Sequence, residues 1–288
     1  MRRIRLIHLG QMPDIIECPA CGGRDVNVVE PWSLGKNHHA VACQTCGLLF
    51  VHPQPPQEVL DAYYAPEGGW QASREENVKP PQTRTKGAAP AMMAALDRHF
   101  MASAPSAGAK VFDFGCGVGL WLNTFQDHGW DTYGLEPCND AAFVRHKRLT
   151  ALPVEPQFDL VIAYHVFEHL PRPMDTLREL VAALRPGGYF LVSVPRLDAL
   201  AVHRDFKYCL HRRNHIVAYT EACFRGLFAR AGMEVVEALH HLDERFSKGL
   251  PLRLRLLARK TGVTTGVTDP ADALKPVIEA YVALRQPA

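Results

Sequence analysis

The strongest restriction on the fold comes from a short, mostly apolar segment that runs directly into alternating glycines. Residues 110–114 form this segment, and Gly115, Gly117 and Gly119 follow it. Glycines permit the tight turn between a strand and a helix, and they allow a ligand to lie directly against the backbone. The apolar residues from Leu120 onward are typical of a helix start. The sequence therefore predicts a strand–turn–helix unit of an α/β fold.

Apolar segments of strand length continue to alternate with amphipathic segments after this unit. The predicted strands are residues 132–136, 158–163, 189–194 and 233–239, and the predicted helices are residues 175–184 and the segment that Thr220 caps. This order predicts a Rossmann-like, mostly parallel sheet with helices on both faces. Residues 250–260 are interpreted as a basic amphipathic helix, and a last helix is predicted to end near residue 285.

Four of the eight cysteines stand in two Cys-x-x-Cys pairs, each followed by a glycine. The pairs are Cys18 with Cys21 and Cys43 with Cys46. Two residues between cysteines allow both sulfur atoms of one turn to face a common centre, and two such turns supply the four thiolates that suit Zn²⁺. Because four sulfur ligands leave no coordination position open, we predict a structural zinc ion. Two disulfides or four unrelated thiols are the alternatives.

A small zinc ribbon is predicted to surround these cysteines. Residues 26–29 and 39–42 fit the two strands of a hairpin, residues 48–51 fit a third strand, and the prolines at 53–56 end the module. Residues 66–90 are poor in periodicity and are interpreted as a mobile segment or lid. The predicted parts of the chain are an N-terminal zinc-ribbon module (1–56), a helical linker or lid (57–104), an α/β core (105–240) and a C-terminal helical extension (241–288).

Composition and charge exclude several classes of protein. Apolar residues make up 47% of the 288 residues, and 32 basic residues against 30 acidic ones give a formal net charge of +2. Disordered chains contain fewer apolar residues and more net charge. A general nucleic-acid binder needs a clear basic excess, so nucleic acid is not an expected partner. No segment approaches the roughly 20 apolar residues that span a bilayer, and we expect no membrane and a cytoplasmic location.

Two acidic residues flank the glycine turn in a way that does not suit a dinucleotide. Asp113 precedes the turn, and Glu136 ends the next predicted strand. A carboxylate at that strand end can accept both hydroxyls of a ribose. An acid beside the turn opposes a pyrophosphate but suits an ammonium group. The pair therefore favours S-adenosylmethionine, and the alternative is a glycine turn that only packs a helix on a strand.

Four segments together are more specific than the glycine turn alone. They read VFDFGCGVGLWL, YGLEP, FDLVIAYHVFEHL and LRPGGYFLVSVP. This set resembles class I S-adenosylmethionine-dependent methyltransferases, in the branch that includes ubiquinone-type O-methyltransferases and natural-product and sugar methyltransferases. The resemblance implies a seven-stranded-type methyltransferase sheet. The cysteine pairs followed by prolines resemble the zinc-binding front module of some members, including deoxysugar C-methyltransferases.

The resemblance also implies which residues contact S-adenosyl-L-methionine. The implied contacts are Asp113, Gly115, Cys116, Gly117 and Gly119 for the methionine end, Glu136 and Pro137 for the ribose, and Ala163, Tyr164 and His165 where the third motif passes the cofactor. The segment that would contact the adenine is short, and its ligands stay open.

Three further residues follow the predicted strand at 158–163 and are candidates for catalysis. They are His165, Glu168 and His169. Methyl transfer needs a group that removes the proton of the nucleophile, and histidine has a suitable pKa. The Glu-His pair resembles related methyltransferases in which the histidine acts as base, with Glu168 orienting it or binding substrate. The alternative is that His169 only caps the turn before Pro171.

A second group of candidates follows the strand that ends at Pro195. Its members are His211, Arg212, Arg213, His215 and Tyr219. Arginines at this edge of the sheet could hold an anionic acceptor, such as a nucleotide-linked sugar or a carboxylate. The alternative is a solvated basic loop.

The sequence therefore predicts methyl transfer to an oxygen or carbon atom of a small-molecule acceptor, such as a sugar, a nucleotide-sugar or a natural-product-like compound. An RNA methyltransferase that binds its acceptor with the zinc module is one alternative. Residues 18–56 contain only Arg24 and Lys36 as fixed cations, which makes a poor phosphate-binding surface. A non-catalytic protein that binds zinc and the cofactor is the other alternative. The sequence does not indicate an oligomeric state.

Overall fold

The structure of the protein is a computed structural model that describes residues 16–33, 38–65, 67–69, 88–101, 108–138, 140–199, 206–211, 214–242, 246–247, 250–265 and 272–284. The strands in these residues are β1 (Val26–Ser33), β2 (His39–Cys43), β3 (Leu49–His52), β4 (Lys110–Phe114), β5 (Asp131–Leu135), β6 (Lys147–Arg148), β7 (Phe158–Tyr164), β8 (Leu184–Pro195), β9 (Val217–Ala218), β10 (Met233–Ala238), β11 (Phe246–Ser247), β12 (Leu250–Pro251) and β13 (Arg253–Lys260). Most of the predicted lid, residues 66 and 70–87, lies outside the described residues.

The α-helices of the same residues are α1 (Gln57–Tyr64), α2 (Ala88–Met101), α3 (Leu120–Asp127), α4 (Pro173–Ala182), α5 (Phe206–Cys209), α6 (Glu221–Arg230) and α7 (Lys275–Leu284). Short 3₁₀ helices lie at Ala141–Val144, Phe167–His169, His240–Leu242 and Asp272–Leu274. Thr220 caps α6 as predicted, because its side-chain oxygen accepts a hydrogen bond of 3.1 Å from the backbone nitrogen of Cys223. None of the helices described is long and apolar enough to cross a membrane.

Seven strands form the main sheet, in the order β10-β13-β8-β7-β4-β5-β6. The strands from β8 to β6 are parallel to one another, whereas β13 runs antiparallel to both β8 and β10. This arrangement confirms the predicted Rossmann-like, mostly parallel sheet. The chain leaves β4 towards β5 on one side, and β7 and β8 lie on the other side. The carboxyl end of β4 is therefore the switch point at which open α/β sheets bind their ligands.

One prediction about the main sheet is wrong. Residues 253–260 form the strand β13 and not an amphipathic helix, so the interpretation of 241–288 as a helical extension fails for these residues. β13 lies between β8 and β10 and is buried from Leu254 to Ala258. The side chain of Arg255 is buried as well, and it donates hydrogen bonds to the carbonyl oxygen of Leu242 and the hydroxyl of Tyr164. The basic residues of β13 suggested the polar face of an amphipathic helix. The partners that allow Arg255 to be buried are distant in the sequence, so no local pattern reveals them.

A second sheet carries the cysteine pairs. Its order is β1-β2-β3-β9, and all its neighbours are antiparallel. The predicted hairpin is confirmed, with Val26 opposite Cys43 and Val28 opposite Val41. The fourth strand, β9, comes from the part of the chain that also forms the main sheet. The division of the chain into domains at residues 56, 104 and 240 stays a prediction.

Candidate functional site

The glycine turn after β4 holds its glycines in a conformation that other residues rarely adopt. The φ angles of Gly115, Gly117 and Gly119 are 75°, 56° and 78°. A Cβ atom at Gly115 would lie 2.6 Å from Cγ2 of Val166, so this position also requires the smallest residue. The turn therefore presents bare backbone at the switch point of the sheet.

Glu136 follows β5 and directs its carboxylate at this turn. Its Oε2 accepts a hydrogen bond of 2.8 Å from the backbone nitrogen of Gly117, and its Oε1 accepts one of 2.8 Å from that of Cys138. The nitrogen of Gly115 donates to the carbonyl of Leu135 at 2.8 Å. The structure thus brings together the glycine turn and the acid that the sequence paired with it.

Asp113 lies next to the turn and is almost completely buried. Burial, followed by the negative charge of Glu136, raises the pKa of the Asp113 carboxyl to about 8. Its Oδ1 has no hydrogen-bond partner among the described residues. A buried carboxyl oxygen without a partner fits a cationic ligand group, and the Glu136 carboxylate fits ribose hydroxyls. Both residues therefore fit a nucleoside that carries an ammonium group better than they fit a phosphate.

The four other residues predicted to contact the cofactor differ in their exposure to solvent. Ala163 is fully buried in β7, and Cys116 is also buried. Pro137 is exposed. Tyr164 packs on Trp121, with ring centroids 5.3 Å apart. The side chains of Ala163 and Cys116 therefore belong to the hydrophobic core, and their contacts with the cofactor stay a prediction.

His165 follows β7 directly and is held in a strained conformation. Its φ angle is 58°, which costs a residue with a Cβ atom roughly 1–2 kcal/mol. The backbone nitrogen of His165 donates to the carbonyl of Ser193 at 2.7 Å, and its Nδ1 donates to Oε1 of Glu168 at 2.9 Å. The imidazole is 28% exposed, whereas the carboxylate is 1% exposed. Such strain is typical of functional positions.

His169 is nearly buried beside this pair. Burial lowers the pKa of His169 to about 4, so the ring is neutral near pH 7. Its Nδ1 donates to the carbonyl oxygen of Asn214 at 2.8 Å, and its Nε2 lies 3.9 Å from Oε1 of Glu168. The ring of Tyr64 from α1 lies 5.7 Å from the His169 ring.

The second predicted group is only partly brought to the site. The ring centroid of His215 lies 4.9 Å from that of His169, and His211 stacks on His215 at 5.6 Å. Tyr219 instead lies in the core, where its hydroxyl donates to the carbonyl of Phe167 at 3.0 Å. Arg212 and Arg213 lie outside the described residues.

Sequence reasoning missed three contributors to the site. Tyr64 packs against His169, and the backbone carbonyls of Asn214 and Tyr208 accept hydrogen bonds from the imidazoles of His169 and His215. A backbone carbonyl has no residue signature, and α1 lies far from the catalytic segment in the sequence. No sequence signal identifies these three contacts.

The four predicted cysteines lie together at the end of the second sheet. The Sγ atoms of Cys18 and Cys46 are 3.5 Å apart, and those of Cys21 and Cys43 are 3.6 Å apart. A tetrahedron with metal–sulfur bonds of about 2.3 Å has edges of roughly 3.7 Å, whereas a disulfide is about 2.05 Å long. The cysteines are thus unbridged and close to the geometry of a four-sulfur metal site.

Comparison with protein families identifies the class of this fold. The model of a family described as a methyltransferase domain matches residues 88–238, which is more than half of the chain. The chain belongs to this methyltransferase family. The matched region contains the glycine turn, Glu136 and the His165–Glu168 pair.

Curated relatives match a shorter region. A protein of Mycolicibacterium smegmatis, named as a probable S-adenosylmethionine-dependent methyltransferase, is 33% identical over 112 residues, covering 34% of this chain and 43% of the relative. The ubiquinone biosynthesis O-methyltransferase of Acinetobacter baylyi is 29% identical over 104 residues, covering 30% of this chain and 44% of the relative. The chain spans less than half the length of these curated relatives.

Solved structures show the same fold. The 1,6-didemethyltoxoflavin-N1-methyltransferase of Burkholderia thailandensis superposes with a TM-score of 0.55 at 18% identity, covering 81% of this chain and 99% of that one. The magnesium protoporphyrin IX methyltransferase of Synechocystis gives a TM-score of 0.51 at 16% identity, covering 71% and 100%. At these identities the similarity concerns the fold.

Proposed function

We propose that the protein is an S-adenosylmethionine-dependent methyltransferase that acts on an oxygen or carbon atom of a small molecule. The observation that carries this proposal is the hydrogen bond between His165 and Glu168, beside the glycine turn. Val166, between these residues, packs against Gly115. A base is thereby held next to the proposed cofactor site.

The cofactor contacts are proposed for three elements of the site. Asp113 would hold the ammonium group of the methionine end, the glycine turn would accommodate that end against bare backbone, and Glu136 would accept hydrogen bonds from the ribose hydroxyls. S-adenosylmethionine would supply a methyl group already activated on a sulfonium. The residues of the chain then have only to align the acceptor and remove its proton.

His165 is the better placed of the two candidate bases. Its Nδ1 donates to Glu168, so its Nε2 carries a lone pair and can accept a proton. The buried carboxylate stabilises the imidazolium that forms. His169 has a lowered pKa of about 4 and is therefore a weak base. Glu168 acts as the positioning residue for His165.

Buried side chains beside the proposed base favour a small acceptor. His169, Glu168 and Tyr64 close the site from the side of α1 and the 167–169 turn, and two of these side chains are 10% exposed or less. A sugar or natural-product-like compound with an ionisable hydroxyl or an acidic carbon provides a proton that an imidazole can remove. The ubiquinone biosynthesis enzyme among the relatives is named as an O-methyltransferase, which supports this acceptor chemistry.

We also propose that the ion held by Cys18, Cys21, Cys43 and Cys46 is zinc. The sulfur–sulfur distances support a tetrahedral ion, and four thiolates suit Zn²⁺. All four positions are filled by protein sulfur, so this ion stabilises the second sheet and takes no part in the reaction.

The test is incubation of the purified chain with methyl-labelled S-adenosylmethionine and fractions of a cell extract. Label is expected in the small-molecule fraction. With the acceptor identified, His165→Gln should reduce kcat by about 10²–10⁴-fold with little change in cofactor affinity, because general base catalysis contributes that much. His128→Gln is the matched control, since it changes an exposed histidine at the end of α3, outside the proposed site. Label in the RNA fraction, or full turnover by His165→Gln, would contradict the proposal.

A further inference from the structure

A second group of metal-ligand side chains lies apart from the cysteines. Glu168, His169 and His215 each offer one ligand atom, and these atoms all lie within 4.8 Å of one another. Glu168 is buried, the side chain of His169 is 10% exposed, and His215 is mostly buried. Metal–nitrogen and metal–oxygen bonds are about 2.0–2.2 Å long, so two ligand atoms on one ion are separated by roughly 4 Å at most. Ion binding requires these side chains to move by about 1 Å at most.

The imidazoles of His169 and His215 are held in the way that is typical of histidine metal ligands. Nδ1 of His169 donates to the carbonyl of Asn214 at 2.8 Å, and Nδ1 of His215 donates to the carbonyl of Tyr208 at 2.7 Å. A carbonyl oxygen only accepts, so each Nδ1 carries the proton and each Nε2 carries the lone pair. Histidine ligands characteristically donate their other nitrogen to a backbone carbonyl or a carboxylate, which fixes the tautomer and the ring.

Glu168 supplies an independent observation. Its carboxylate is 1% exposed, and Oε1 accepts the hydrogen bond from His165. The other oxygen, Oε2, has no hydrogen-bond partner among the described residues. A buried carboxylate oxygen without a partner is costly, and a bound cation would remove that cost.

We propose that Glu168, His169 and His215 form a second metal site that binds a divalent transition metal. Two imidazole nitrogens and one carboxylate oxygen are the ligand set of open Zn²⁺ and Fe²⁺ sites, in which the remaining positions accept water or a substrate oxygen. The cysteine site is closed, and this second site is open. It therefore has a different chemical role.

The proposed metal site adjoins the proposed base, because Oε1 of Glu168 accepts the hydrogen bond from Nδ1 of His165. An acceptor hydroxyl bound to the ion would lose its proton more readily, and His165 Nε2 would take that proton while the oxygen stays on the metal. The acceptor would then be a compound whose reactive oxygen is a metal ligand, such as an enol, a phenol or a hydroxy acid. This role rests on the proposed methyl transfer, whereas the binding of the metal does not.

Metal content of the full-length chain tests the site without any assay of activity. The protein is loaded with Zn²⁺, freed of excess metal by gel filtration and analysed by mass spectrometry. The wild type is expected to hold two equivalents, and His215→Gln and His169→Gln one equivalent. His211→Gln is the matched control, since its ring stacks on His215 but lies outside the ligand set, and it should keep two. His165→Gln should also keep two, which separates this test from the test of the base.

A Co²⁺ titration of the wild type keeps the test decisive if a variant fails to fold. The ion at the cysteines gives a sulfur-to-cobalt charge-transfer band, and the second equivalent should bind without adding to that band. In folded His215→Gln the affinity of this second equivalent should fall by more than the roughly 10–100-fold that a change in the outer shell costs. A wild type that saturates at one equivalent, or a His215→Gln variant that binds two with unchanged affinity, would overturn the second site.

Discussion

The two sides of the proposed site are built in different ways. The cofactor side consists of residues 113–119 and Glu136, and the acceptor side consists of residues 165–169 and 214–215. The cofactor side is made by two adjacent parallel strands and the turns that follow them. The acceptor side combines the turn after β7 with a segment that lies some 45 positions further along the chain.

This difference links the acceptor side to the cysteines. The backbone nitrogen of Ile216 donates to the carbonyl of Glu168 at 2.9 Å, and the nitrogen of Val51 donates to the carbonyl of Ile216 at 2.9 Å. Phe50 and Leu49 of β3 continue this pairing with Val217 and Ala218 of β9. The sheet that carries the cysteines therefore supports the acceptor side directly, whereas the glycine turn is anchored to β5.

Loss of the proposed zinc ion at the cysteines should give the largest difference in stability between the two sides. Structural zinc supplies on the order of 10–16 kcal/mol in small zinc-finger peptides, far more than a small sheet supplies by itself. In Cys46→Ser we expect amide hydrogen exchange in β2, β3 and β9 to accelerate by roughly 100-fold or more, while β4 and β5 stay protected. Methylation of the acceptor should be lost together with the protection of β2, β3 and β9, whereas cofactor affinity should change little.

Cys209→Ala is the matched control for this experiment, because Cys209 is a buried cysteine on α5 that is not one of the four ligands. It should keep both the zinc and the protection of β9. If Cys46→Ser left β9 protected, or if it exposed β4 and β5 equally, the two sides would not be stabilised separately.

A change in the glycine turn should affect the cofactor side and leave the acceptor side intact. The expected loss of cofactor affinity is an effect of intermediate size. Gly115→Ala places a Cβ atom 2.6 Å from Cγ2 of Val166 and forces alanine into a left-handed conformation. The conformational cost alone is about 1–2 kcal/mol, and the contact adds to it. We expect cofactor affinity, measured by calorimetry, to fall at least about 10-fold. Metal content at the cysteines should stay unchanged.

Two further variants separate the contributions. Gly129→Ala forces alanine into the same left-handed conformation, at a φ of 82°, but nothing lies within 4 Å of the added Cβ atom. This variant should therefore lower the stability of the fold without lowering cofactor affinity. Val166→Ala added to Gly115→Ala should restore the part of the affinity that the contact removes. If Gly115→Ala and Gly129→Ala had the same effect on cofactor affinity, the contact with Val166 would not contribute to cofactor binding.

The same contrast explains how much of the molecule could be predicted. The glycine turn, the partner acid Glu136 and the cysteine pairs carry their chemistry in short spacings, and the structure brings each set together. The strand at 253–260 was missed because Arg255 finds its buried partners in Leu242 and Tyr164, which no local pattern shows. The approach of His215 to His169 depends on how β9 joins the second sheet, and sequence spacing contains no such information.

The smallest expected effect concerns one proton on the cofactor side. The raised pKa of Asp113, about 8, means that the carboxyl is mostly protonated at pH 7 before the cofactor binds. The unfolded chain ionises first, near the ordinary value of 3.8, so without cofactor this residue lowers the stability of the fold as the pH rises from about 4 to 8. An ammonium group beside the carboxyl favours its ionised form. Cofactor binding at pH 7 should therefore release close to one proton.

Calorimetry in two buffers with different ionisation enthalpies measures this proton. Cofactor affinity should also weaken by about 10-fold for each pH unit below 7, and it should decline again above pH 8, where an α-amino group loses its own proton. Asp113→Asn removes the ionisable proton but keeps an oxygen that accepts a hydrogen bond, so its binding should be weaker and should release no proton. If proton release persisted in Asp113→Asn, the ammonium group would lie against a different residue. The acceptor side should not influence this measurement, because the proposed cofactor contacts lie at the other side of the site.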